Sequence, residues 1–150
     1  VDRIRVIVGT RSDRLLRWIE RSLAPHPEIQ IVGIVHSPHE LPQDVGPMDA
    51  DVLLLDFSDR EASWPLPLFP RRGEGRPRIV ALGPRQDETA ILGALRVGVQ
   101  GFVCIQDGME GLVAALRAAV AGEAYFCPGA CGILIREYLR TAKMTRGGFG

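Results

Sequence analysis

The chain has 150 residues, 46% of them apolar and 24% charged, and its 18 Lys and Arg balance its 18 Asp and Glu. That length suits one hydrophobic core, the apolar share is too high for a disordered chain, and zero net charge removes the long-range field that draws a protein toward nucleic acid or anionic membrane. The longest apolar runs, such as residues 50–57 broken by Asp51 and Asp56, fall well short of the roughly 20 residues that span a bilayer, so no membrane partner is expected.

No basic-then-apolar leader precedes the first strand-like run, and no export signal is expected. Cys104, Cys127 and Cys131 are a sparse, odd set without His at metal-ligand spacing. They suit a reducing compartment better than a disulfide framework, which makes cytoplasm the expected location.

Residues 4–8 (IRVIV) are β-branched and continuous, as in a strand covered on both faces of a parallel sheet. Ser12 or Asp13 then caps a helix whose Leu15, Leu16, Ile19 and Leu23 share one face, and which ends near Ala24 and Pro25. Residues 29–35 (IQIVGIV) form the second strand, with Gly33 permitting a bend. Residues 36–49 contain Pro38, Pro42, Gly46 and Pro47, which leave room for a turn or two of helix at most.

Residues 51–55 (DVLLL) are the third and central strand, delivering Asp56 to its carboxyl end. Pro65, Pro67, Pro70 and Pro77 follow, with Gly73 and Gly75 among them, so the crossover helix there should be short, shifted or absent. Trp64, with Leu66, Leu68 and Phe69 after it, marks a stiff apolar loop that either docks a partner or folds back over the core.

Residues 78–82 (RIVAL) are strand four, and residues 87–97 a helix stopped by Gly98. Residues 101–105 (GFVCI) are strand five. Residues 109–121 are rich in good helix formers. A last helix is expected over residues 133–141, with Ile133, Leu134, Tyr138 and Leu139 as its apolar stripe, and a frayed tail from residue 145.

Five strands alternating with helices or loops predict an α/β fold with a doubly wound, five-stranded parallel sheet and right-handed crossovers. Functional residues in such sheets gather at the carboxyl ends of the strands.

IRVIV (4–8), HPEIQIVGIV (26–35), DADVLLLD (49–56), PRIVALG (77–83), ALRVGVQGFV (94–103) and MEGLVAALRAAVAGEAYFCP (109–128) stand in an order and at distances that carry a resemblance. Over roughly residues 4–126 the sequence resembles the CheY-like receiver domains of two-component response regulators, most closely the LuxR/NarL-type branch. The resemblance implies strand order 2-1-3-4-5. It makes residues 1–126 an atypical receiver and residues 127–150 a C-terminal helix and linker.

Asp56 falls at the position of the family's phosphoacceptor. The family's acidic pair after strand one, which with the acceptor gives a hard cation its oxygen ligands, is replaced by Thr10 and Arg11. Its Ser or Thr at the end of strand four is replaced by Gly83, and its Lys at the end of strand five by Ile105. Phe102 takes the place of the aromatic residue that swings on activation, and with Gly83 opposite it reads as core packing.

These departures predict a pseudo-receiver with no catalytic residues, no metal and no cofactor. Such a module acts in transcriptional signalling by binding a protein partner or a second copy. The expected docking faces are the helices at 87–97 and 109–121 with the strand between them, or the first helix with that at 109–121. DNA would be reached only through a domain outside these residues.

Two alternatives stay open. The altered pocket, expected to be neutral or cationic, is a site for a nucleotide, flavin or anion, or Asp56 still accepts a phosphoryl group. Arg11 either forks onto Asp56 in place of the metal or is an exposed loop arginine, and Asp13 is read as a capping residue. His26, His36 and His39 are read as surface histidines. Cys127 and Cys131 are read as packing on one side of the last segment, since two thiols do not close a zinc site.

Overall fold

The computed structural model describes residues 3–40, 50–59, 64, 77–84 and 87–147. Six strands make one parallel sheet: β1 (Ile4–Gly9), β2 (Ile29–Val35), β3 (Val52–Asp56), β4 (Arg78–Gly83), β5 (Gly101–Cys104) and β6 (Tyr125–Phe126). Their order is β2-β1-β3-β4-β5-β6. The first five follow the expected doubly wound order. The sixth corrects the expected count: it is a two-residue edge strand pairing Gly101 with Tyr125 and Phe102 with Phe126, too short to leave an alternation signal.

The α-helices among the described residues are α1 (Asp13–Leu23), α2 (Glu88–Val97), α3 (Met109–Val120) and α4 (Pro128–Gly147). Ser12 caps α1, its hydroxyl accepting from the Leu15 N–H, and Asp87 caps α2 in the same way through Ala90. Gly98 ends α2 in the left-handed conformation with φ of 87°, which a side chain would resist. A register shift between Val6 and Ile7 of β1 sits opposite Ile31 and Gly33, so β2 bends where its glycine falls.

Alternation along the strands builds two cores. Ile7, Leu53, Leu55, Ala81 and Phe102 face α2 and the start of α4 through Ile91, Ala94, Ala130 and Ile133. Val6, Val8, Leu54, Val80 and Val103 face α1 and α3 through Leu15, Ile19, Leu112 and Leu116. Among the described residues, every buried side-chain nitrogen or oxygen has a hydrogen-bond partner.

Three expectations are corrected here. Helix α4 begins at Pro128, whose missing N–H costs nothing at a first helical position, and runs to Gly147, beyond the expected fraying point. Its expected stripe splits: Ile133 is buried, whereas Tyr138 and Leu139 are 70% and 58% exposed. Strand five stops at Cys104, and Ile105 opens a 3-10 turn over Ile105–Asp107. The segment between β2 and β3 shows a single 3-10 turn at Pro38–Glu40, with residues 41–49 outside the described residues. The expected short or missing helix after β3 also falls largely outside them. No helix among the described residues is long and apolar enough to cross a membrane.

Candidate functional site at the carboxyl edge

β1 and β3 end side by side, with Gly9 in register with Leu55, and this places Thr10 beside Asp56. Asp56 is 2% exposed, and both of its carboxyl oxygens are engaged. The Thr10 hydroxyl donates to Oδ2 at 2.8 Å. The Ser58 N–H donates to Oδ1 at 2.8 Å, and the Ser58 hydroxyl donates to the same oxygen.

Thr10 is itself held, because its Oγ1 accepts from the Ser12 N–H at 3.0 Å. Hydrogen bonds therefore run without a break from the N-terminal turn of α1 through Ser12 and Thr10 to Asp56. Thr10 is 3% exposed, a buried hydroxyl with both a donor and an acceptor partner.

Arg11 does not fork onto Asp56. Its Nε donates to Asp59 Oδ2 at 2.7 Å, with the guanidinium side chain 45% exposed. The buried carboxyl group is thus satisfied by neutral hydroxyl and amide donors. The cation stays at the rim, where water reduces the cost of holding it. Asp13 opens α1 next to the Ser12 cap, and the Asp56 carboxyl oxygens are held by other residues.

Trp64 covers the strand ends. It is 5% exposed, and its indole N–H donates to the Asp56 carbonyl at 3.0 Å. A Cβ placed on Gly9 would lie 2.7 Å from its Cη2 and 2.8 Å from Leu55 Cδ2, so this close approach requires glycine. Of the two readings of this residue, folding back over the core is the one observed.

Gly83 and Phe102 share one space across β4 and β5. Phe102 is fully buried, and a Cβ on Gly83 would lie 2.7 Å from its Cζ. Ile105 packs its half-buried side chain against the α1 and α3 core and brings no polar group to the edge.

An open cleft of about 400 Å³ remains, lined by Arg11, Ser12, Asp56, Ser58 and Asp59. Among the described residues that line it, one arginine stands with two aspartates. His36 and His39 lie at the surface. His26 is half-buried beside Glu28 and Arg117.

The cysteines depart furthest from expectation. Cys104 at the end of β5 and Cys127 just before α4 form a disulfide, and Cys131 is the free thiol. The sulfur of Cys131 points to the Phe126 carbonyl at 3.2 Å. Linear spacing singles out Cys127 and Cys131. The pairing of β5 with β6 instead brings Cys127 to Cys104 across the sheet edge.

Against solved structures, the isolated receiver domain of RcsB from Salmonella enterica serovar Typhimurium, in the presence of the phosphomimetic BeF3-, superposes with a TM-score of 0.68. The match covers 88% of this chain and 99% of that one at 19% identity. A LuxR-family two-component response regulator from an Aurantimonas species gives a TM-score of 0.71, covering 92% of this chain and 99% of that one at 17% identity. The fold is that of a response-regulator receiver domain.

No family model matches this receiver-like chain. One curated relative, the transcriptional regulatory protein DegU of Brevibacillus brevis, is 22% identical over 142 residues, which are 93% of this chain. The chain spans 59% of that relative's length.

Sequence reasoning singled out Asp56, Thr10, Arg11, Gly83, Phe102 and Ile105; the receiver fold brings Thr10, Arg11, Asp56, Gly83 and Ile105 to the carboxyl ends of β1, β3, β4 and β5, while Phe102 lies within β5 opposite Ala81, with its ring against Gly83. It missed Ser58 and Asp59. The signal for Ser58 was present, because Asp56-Phe57-Ser58 is the spacing at which an aspartate accepts from the N–H two residues on. Asp59 left no comparable local signal.

Proposed function

We propose that this chain is a degenerate receiver of the LuxR/NarL-type branch, serving two-component signalling and transcriptional control from the cytoplasm. It acts by binding a protein partner or a second copy of itself, without magnesium-dependent phosphorylation of Asp56 and without enzymatic turnover. In this reading residues 1–126 are the receiver unit and residues 127–150 its C-terminal helix and tail.

One observation carries this reading: the buried Asp56 carboxyl group has both oxygens occupied by Thr10 and Ser58. Phosphoryl transfer relies on positioning and on charge stabilisation by a metal and cationic groups. At this edge Thr10, Gly83 and Ile105 stand where such partners belong, and Arg11, which lines the cleft, is turned to Asp59. A hard cation takes six or more oxygens, and among the described residues no group of three acidic, His or Cys ligands gathers around Asp56.

Sedimentation velocity over a range of protein concentrations, with and without an acyl phosphate and magnesium, tests the reading. The expected result is the same association behaviour in both, and the same again for Asp56→Asn. Association that appears only with the phosphodonor and vanishes in Asp56→Asn would overturn it.

A further inference from the structure

Along the same carboxyl edge, two strands over from Asp56, three ligand-bearing residues from separate elements converge. Cys104 closes β5, Asp107 ends the 3-10 turn after it, and Cys127 immediately precedes α4. Their two sulfurs and one carboxylate oxygen all lie within 4.8 Å of one another, the only such group of three among the described residues. Cys104 and Cys127 are buried, 0% and 2% exposed, and Asp107 stands at the surface.

We propose that this cluster is a redox-gated site for a thiophilic divalent cation of the zinc type. The disulfide is its closed form, and the reduced pair with Asp107 is its metal-binding form. Two thiolates and a carboxylate are a donor set that tetrahedral zinc accepts, with the fourth position left to water on the side of the exposed Asp107. Soft sulfur ligands exclude magnesium and calcium, which require oxygen cages.

The backbone holds the main chain of both cysteines in place. Cys104 pairs with Gly83 across β4 and β5, and the Cys127 N–H donates to the Phe102 carbonyl at 3.0 Å. A site built from a strand end and a helix start is held by main-chain hydrogen bonds that do not depend on the S–S bond, so reduction leaves the ligands near one another.

Opening consumes a dithiol reductant. The Cys104–Cys127 S–S bond breaks, two electrons and two protons pass to the sulfurs, and the reductant leaves as its own disulfide. Metal binding then forms two S–metal bonds and releases both thiol protons to solvent.

Alkylation and metal titration of the full chain test this. In denaturant a thiol alkylator should add once before reduction, at Cys131, and three times after phosphine reduction. Three additions without reduction would overturn the redox gate.

Cobalt(II) added without oxygen to the reduced chain should give a thiolate charge-transfer band at one equivalent, displaced by zinc, while the oxidised chain gives none. Cys131→Ser should keep the band. Asp107→Asn, which keeps the size of the side chain, should weaken cobalt binding roughly tenfold or more, since even outer partners of a metal ligand carry that much. No band from the reduced chain, or full binding by Asp107→Asn, would overturn the proposal. Neither readout requires a substitution at the buried Cys104 or Cys127.

Discussion

Phe102 occupies the space that a side chain on Gly83 would need: a Cβ there would lie 2.7 Å from Phe102 Cζ, within a fully buried aromatic ring. The glycine at the end of β4 and the inward aromatic on β5 are therefore one structural fact. Gly83→Thr should destabilise the fold by about 1–3 kcal/mol through overpacking. Phe102→Leu in the same chain should return much of that loss. Urea unfolding of the two single variants and the double variant measures the coupling, and additive effects would show that the ring and the glycine do not share this space.

Thr10 is the internal donor to Asp56, at 2.8 Å, and it also accepts from Ser12. Thr10→Val keeps the shape and removes the hydroxyl. It should cost about 1–3 kcal/mol, because a buried carboxyl oxygen loses its partner. Ser58→Ala should cost less, since the Ser58 N–H still donates to Oδ1. Chemical unfolding at neutral pH compares them.

Trp64 is buried over Gly9, with its N–H on the Asp56 carbonyl. Trp64→Phe should destabilise the chain by about 1–3 kcal/mol, from one hydrogen bond and part of the ring contact. In the wild type, iodide should quench Trp64 poorly until the chain unfolds. Emission from Trp64→Phe, which retains only the half-buried Trp18, should be quenched more readily.

The order of the first five strands and the placement of Asp56, Thr10, Arg11, Gly83, Phe102 and Ile105 were legible because continuous β-branched runs and fixed spacing set the sheet and its edge. What side chains do at that edge was less legible. Arg11 had two acidic partners in reach, and the choice of Asp59 follows from the lower cost of an ion pair at the rim than in the interior, which spacing does not encode. Cys104 and Cys127 are separated by 23 residues and meet only because β6 adds to β5, a two-residue pairing without periodicity. The upper half of α4 looked amphipathic, yet only its first turns touch the α2 side of the sheet.

Glu28 accepts from Arg117 at 2.7 Å, joining the approach to β2 with α3. That hydrogen bond, with the charge of Arg117, holds the Glu28 carboxyl below its ordinary 4.5. A carboxyl group depressed on folding stabilises above its unfolded value and loses that contribution as pH falls through the folded value. An NMR titration should place Glu28 below 4.5 in the wild type and nearer to it in Arg117→Gln, the difference shrinking in high salt.

The most direct measurement is intact mass after incubation with an acyl phosphate and magnesium. With the Asp56 oxygens held by Thr10 and Ser58, the mass should stay that of the unmodified chain at every magnesium concentration. A stoichiometric phosphoryl adduct, absent from Asp56→Asn, would contradict this and make the chain a working phospho-switch.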